Sequence, residues 1–210
     1  MYKLNKLSTI LVTGGTGSFG RAFVSYILDL YPDISRLVVF SRDEYKQYEM
    51  QQDFPTSKYP GLRYFLGDVR DKNRLKKALD GIEVVVHAAA LKQVDAAENN
   101  PFECIKTNIL GTQNLVEASL EANVYKLVCI STDKAASPSN LYGATKLCSE
   151  RLILSAINYK GNKPLTACIV RYGNVLGSRG SVVPAFLKQL KTGTIKITSP
   201  EMTRFNIRLE

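Results

Sequence analysis

Ile10-Leu11-Val12-Thr13-Gly14-Gly15-Thr16-Gly17-Ser18-Phe19-Gly20 is the stretch that decides the fold. A short apolar run reads as a buried strand, and the pattern from Phe19 to Leu30 reads as a helix. Between them Gly14, Gly17 and Gly20 stand at a G-x-x-G-x-x-G spacing. Glycine serves where φ turns positive, where backbone must approach a pyrophosphate, and where helix meets strand. The helix start then offers unpaired N–H groups and a positive dipole end to phosphate. A strand, a glycine turn and a helix in that order predict dinucleotide binding, with Gly14, Thr16, Gly17, Ser18, Phe19 and Gly20 as the cradle.

About twenty residues on, a second apolar run, Leu37-Val38-Val39-Phe40, should end at the adenosine ribose. An acidic residue there would read as NAD. Ser41-Arg42 stands there instead, with Asp43 and Glu44 opening the next helix. Ser41, Arg42 and Lys46 can hold a 2′-phosphate, Arg42 through its planar fork, so NADP is expected ahead of NAD. A solvated surface role for Arg42 is the alternative.

Ser131-Thr132-Asp133-Lys134 ends a later strand, and Tyr142-Gly143-Ala144-Thr145-Lys146 follows. Tyr142 and Lys146 lie four apart, on one helical face. An ammonium beside a phenol favours the phenolate, which makes a general base for a sugar hydroxyl. Hydride transfer needs one acid–base residue. Asp133 and Lys134 add two more, which points to a second chemical step such as loss of water. A cap for Asp133 and a solvated Lys134 are the structural alternatives.

The rest of the chain supports one α/β unit. Expected strands are 9–13, 36–41, 62–67, 83–89, 126–131 and 165–171, with helices near 18–30, 43–53, 71–79, 101–122 and 142–159. A short helix at 182–191 and a strand at 194–198 follow. Near-continuous apolar strands alternating with helices predict a Rossmann-like doubly wound parallel sheet with helices on both faces. The ligand should cross the carboxyl ends of the strands. The 210 residues allow one substantial core. No apolar run reaches the ~18 residues of a membrane span, and residues 1–10 lack a signal-peptide core. Net charge is +9, which fits phosphate-rich ligands. Nothing in the sequence adds a nucleic-acid motif or a zinc spacing, so no metal, nucleic acid or membrane partner is expected. His87 reads as a packed strand residue. Cys104, Cys129, Cys148 and Cys168 read as reduced, buried thiols in a cytoplasmic protein.

With these residues assembled, the chain resembles the extended short-chain dehydrogenase/reductases. Within them it is similar to the inverting UDP-N-acetylglucosamine 4,6-dehydratases of polysaccharide biosynthesis, which begin pseudaminic acid synthesis for flagellin glycosylation. The resemblance rests on the glycine turn, Ser41-Arg42-Asp43-Glu44 with Lys46-Gln47, and Gly67-Asp68-Val69-Arg70-Asp71. It continues through His87-Ala88-Ala89-Ala90-Leu91-Lys92, Lys106-Thr107-Asn108, the Ser131–Lys146 block and Arg171-Tyr172-Gly173-Asn174-Val175. Gly177-Ser178-Arg179-Gly180 and Met202-Thr203-Arg204-Phe205 complete it.

The resemblance implies oxidation at sugar carbon 4 with Tyr142 as base, aided by Lys146, and Thr132 bonded to the carbon 4 oxygen. Lys134 would take the carbon 5 proton, Asp133 would protonate the departing carbon 6 hydroxyl, and hydride would return to carbon 6. Asp68 and Val69 should lie at the adenine, and Ala88 and Ala89 at the nicotinamide ribose. Lys92, Asn108, Asn174, Arg179 and Arg204 are implied at the substrate, UDP-N-acetylglucosamine, although Asn108 also reads as a buried structural residue. It implies a homo-oligomer, and a NAD(P)-binding domain over 1–210 in which a substrate-binding region begins at about 174–210, its C-terminal lobe largely missing as in a truncated chain. A nucleotide-sugar 4-epimerase, or a silent NADP-binding fragment, is the alternative.

Overall fold

The computed structural model describes residues 5, 8–178, 181–197 and 199–209. Six strands form one parallel sheet: β1 (Thr9–Thr13), β2 (Arg36–Ser41), β3 (Leu62–Leu66), β4 (Val84–His87), β5 (Lys126–Thr132) and β6 (Thr166–Tyr172). Their order is β3-β2-β1-β4-β5-β6, so the direction of winding reverses between β1 and β4. That switch point opens a crevice beyond the strands' carboxyl ends.

Helices α1 (Ser18–Leu30), α2 (Glu44–Asp53), α3 (Lys72–Leu79), α4 (Val94–Asn99), α5 (Pro101–Ile105), α6 (Gly111–Glu121), α7 (Leu141–Tyr159) and α8 (Val182–Leu190) make the connections. Alternation along each strand divides the core between the two faces. Leu11, Val38, Val85 and Leu127 pack with Leu75, Leu79, Leu115 and Ile153 of α3, α6 and α7. Ile10, Val12, Val39 and Val86 pack with Val24, Ile27 and Met50 of α1 and α2 on the other face. Each such side chain, fully buried, stabilises the fold by roughly 1.5–3 kcal/mol.

Helix starts follow their caps. Asp43 accepts a hydrogen bond from Lys46 N (3.0 Å), Asp71 from Arg74 N (2.9 Å) and Asn140 from Gly143 N (2.9 Å), each satisfying an otherwise unpaired amide.

Three expectations change. The single helix over 101–122 is interrupted by a π-type turn at Lys106–Leu110. The chain at 194–197 is irregular where a strand was expected, and residue 198 lies outside the described residues. A two-residue strand, β7 (Asn174–Val175), pairs instead with β8 (Asn206–Ile207). Of the four free thiols, Cys104 and Cys129 are buried while Cys148 and Cys168 are exposed. Cys168 lies on the edge strand β6, whose Ala167 and Ile169 face the core, so its own side projects from the less covered face. Among the described residues, no helix is long and apolar enough to cross a membrane, and no cluster of potential metal ligands occurs.

Candidate active site

A cleft of about 770 Å³ lies across the ends of β1, β2, β4, β5 and β6. Its floor is the glycine turn. Gly14 has φ +66°, and a Cβ there would press on the backbone of Ala88 and Ala89 at 2.9–3.0 Å. Gly20 sits against Gly15, where a side chain would collide with backbone. Gly17 precedes α1 with no side chain capping the helix. A helix start with no side-chain cap, flanked by Gly17 and Gly20 and facing the cleft, suits a pyrophosphate. Thr16, Gly17, Ser18, Phe19 and Gly20 all line it. The residues present therefore fit a dinucleotide.

At the adenosine end Ser41, Arg42, Lys46, Asp68 and Val69 line the same cleft. Asp43 pairs with Lys46 Nζ at 2.6 Å, and Arg42 lies 3.8 Å from Asp68. Asp68 is gripped by Arg70 through Nε (3.0 Å) and a terminal nitrogen (2.8 Å). Burial works against the Asp68 charge, but the Arg70 hydrogen bonds outweigh it and hold the carboxyl below its ordinary range. Ala88 and Ala89 lie at the centre, fixed by Thr13 Oγ1, which accepts from both of their amides at 3.2 Å.

The catalytic candidates meet at the end of β5. Thr132 Oγ1 donates to Asp133 Oδ1 (2.9 Å), and Lys134 Nζ donates to Asp133 Oδ1 (3.2 Å) and to Asn174 Oδ1 (2.9 Å). Burial tends to raise Asp133, but Thr132 and Lys134 more than offset it, so the carboxyl is held below its ordinary range. Gly143 lets α7 begin directly against this turn, since a Cβ there would collide with the Lys134 carbonyl. Tyr142 is thereby delivered beside Thr132.

Lys146 lines the cleft with Tyr142 and is anchored on β5. Its buried Nζ donates to the Ile130 carbonyl (2.8 Å). Burial pushes the Tyr142 phenol up to about 12, the Thr132 hydroxyl partly opposes this, and nearby Tyr172 and Asp133 add to it. The Lys146 charge is felt by His87, Cys129 and Glu150. Burial disfavours the Glu150 carboxylate, but Arg171, at 2.8 and 2.6 Å, and Ser131 keep it ionised.

The expected substrate residues part company. Lys92 and Asn174 line the cleft, and burial draws the Lys92 ammonium below its ordinary value. Asn108 is buried: its amide donates to the Leu91 carbonyl (2.9 Å) and Thr145 Oγ1 (3.0 Å) and accepts from Leu91 N (2.8 Å). Those bonds give it the structural role. Arg204 is exposed, bonds the Thr203 carbonyl and does not line the cleft. Arg179 lies outside the described residues. Sequence reading missed Tyr172, which lines the cleft and stacks on Phe19 at 6.5 Å. His87 is packed in the strand, bonded to Thr13 and Thr112.

The sheet order and glycine turn define a doubly wound dinucleotide-binding fold. The chain belongs to the polysaccharide biosynthesis protein family, whose model matches residues 10–210. It is 52% identical over 203 residues to the inverting UDP-N-acetylglucosamine 4,6-dehydratase of Campylobacter jejuni serotype O:2, covering 96% of this chain and 60% of that protein. It is 43% identical to the UDP-glucose 4-epimerase of Rickettsia canadensis, covering 96% of this chain and 59% of that one. A solved structure of the dTDP-glucose 4,6-dehydratase DesIV from Streptomyces venezuelae, with NAD and TYD bound, superposes with a TM-score of 0.83 at 26% identity. That match covers 96% of this chain and 68% of the other. The chain thus spans about 60% of the length of the curated relatives it matches.

Proposed function

We propose that this chain carries the cofactor-binding and acid–base part of a nucleotide-sugar 4,6-dehydratase acting on UDP-N-acetylglucosamine with NADP and inverting carbon 5. The observation that carries it is the meeting of Tyr142, Thr132 and Lys134 in the cleft floored by the glycine turn, with Asp133, itself outside the cleft lining, bonded to Thr132 and Lys134. A nicotinamide held there supplies the acceptor for hydride from carbon 4 and the hydride returned to carbon 6.

The protein's own residues handle the protons. Tyr142 takes the proton of the carbon 4 hydroxyl, and Thr132 holds that oxygen. Its phenol stands at about 12, so a positive charge beside it is needed before it can act near neutrality. Once carbon 4 is a ketone, the proton on carbon 5 is acidified. Asp133 and Lys134 are joined at 3.2 Å. The reaction needs a base at carbon 5 and an acid at the carbon 6 hydroxyl, and Lys134 and Asp133 stand side by side for those two roles. Asn174 keeps Lys134 aimed at the cleft. Ser41, Arg42 and Lys46, with no carboxylate ending β2, support NADP over NAD. Residues 174–210 begin the substrate-binding region, since Asn174 of β7 lines the cleft and residues 205–207 hold its backbone.

The 43% identity to a UDP-glucose 4-epimerase favours epimerisation as the second reading. An epimerase uses Tyr142 but has no step for the Asp133–Lys134 pair. Mass spectrometry of UDP-N-acetylglucosamine incubated with the protein and catalytic NADP⁺ separates the two. Loss of one water is the expected result. An unchanged mass with a new epimer in the proton NMR spectrum would overturn the dehydratase reading.

A further inference from the structure

Gln47 lies on α2, nearly buried, outside the set of cleft-lining residues. Its Nε2 donates toward three oxygens: the Ser41 carbonyl (3.1 Å), the Ser41 hydroxyl (3.0 Å) and the Phe65 carbonyl (3.2 Å). The amide orientation is forced by its surroundings, because the opposite flip would set Oε1 against two carbonyl oxygens that can only accept.

This has a consequence for Ser41. A serine hydroxyl has one proton and two lone pairs. Gln47 occupies a lone pair from within the protein, so the Ser41 proton cannot turn toward Gln47. Ser41 lines the cleft next to Arg42 and Lys46, and the side open to its proton is that one. The cleft therefore meets Ser41 as a hydrogen-bond donor of fixed direction. A phosphate monoester can only accept at its ionised oxygens, whereas a ribose hydroxyl can donate or accept. A fixed donor thus discriminates in favour of the phosphate.

We propose that Gln47 is a specificity-positioning residue that selects a 2′-phosphorylated dinucleotide by holding the Ser41 hydroxyl as a donor into the cleft. This rests on the NADP reading above. The test is calorimetric titration of the whole chain with NADP⁺ and, separately, NAD⁺. Gln47→Leu is expected to weaken NADP⁺ by about tenfold, the size of a hydrogen bond to a charged group, and to leave NAD⁺ within about twofold. Ser41→Ala is expected to do the same. The double variant should lose no more than Ser41→Ala alone, since Gln47 acts only through the Ser41 hydroxyl. Additive losses of about a hundredfold, or equal losses for NADP⁺ and NAD⁺, would overturn the proposal, because packing alone does not alter the ratio. Should Gln47→Leu fail to fold, Gln47→Met, which keeps the side-chain length but donates no hydrogen bond, takes its place in the same titrations. A Ser41→Ala protein with wild-type NADP⁺ affinity would refute it. A wild-type chain that prefers NAD⁺ would defeat the cofactor reading itself, and this proposal with it.

Discussion

Strand β1 and helix α8 are both apolar, and they meet opposite fates. Ile10, Leu11 and Val12 are fully buried, between helices on two faces. In α8 no residue is buried, and Val182, Leu187 and Leu190 are 48, 60 and 57% exposed. Edge strand β6 lies between these extremes, with alternate residues open. Hydrophobic patterning creates a face, but only a neighbouring element makes that face stabilising. The candidate catalytic cluster straddles the boundary. Tyr142 and Lys146 are held by the dense part, while Asn174, which holds Lys134, stands on the two-residue sheet β7–β8.

The comparison is broken most sharply at its chemical centre. Tyr142→Phe should lower turnover by about 10²–10⁴-fold, the usual contribution of a general acid–base group, with NADP⁺ affinity kept. A matching loss of binding would mean that Tyr142 holds the site together rather than moves a proton. Leu75→Ala, in the dense part, should cost about 2–5 kcal/mol in denaturant unfolding.

His87 sharpens the comparison through pH. Complete burial and, secondarily, the Lys146 charge pull its pKa down to about 3. The unfolded chain protonates near ~6.5. Stability from the neutral ring is therefore complete above that pH and is lost as pH falls toward 3. Because this is the sole histidine, unfolding free energy should fall by up to about 1.4 kcal/mol per pH unit below 6.5. His87→Asn should flatten the curve between pH 6.5 and 5, measured by urea titration. The smallest effect is expected at Leu187→Ala, within about 0.5 kcal/mol. A loss as large as that at Leu75 would show that α8 is packed and that the contrast is false.

Much of the fold was legible because its signals are local. The strand–glycine–helix unit announces itself through residues within one turn of each other, and five of six strand cores fell where β-branched runs stand. The π-type turn at Lys106–Leu110 had no such signal. There the Asn108 carbonyl is claimed by two hydroxyls, Thr112 Oγ1 (2.6 Å) and Ser149 Oγ (2.6 Å), and Ser149 is on another helix. Helix α4, Val-Asp-Ala-Ala-Glu-Asn, is too short and polar to show a period. Asn108 reads from sequence either as a substrate residue or as a buried structural one, because sequence gives its chemistry but not its neighbours.

By itself the sequence determined the doubly wound class, the dinucleotide cradle and the candidates Thr132, Asp133, Lys134, Tyr142 and Lys146. Spacing and residue type act over a few residues, so a linear reading captures them. Tertiary structure alone decided that Lys146 reaches the Ile130 carbonyl, that Asn174 holds Lys134 across forty positions, and that Gln47 reaches the Ser41 hydroxyl. Hydrogen-bond partners are chosen by distance in space, and burial decides what each unmet partner would cost.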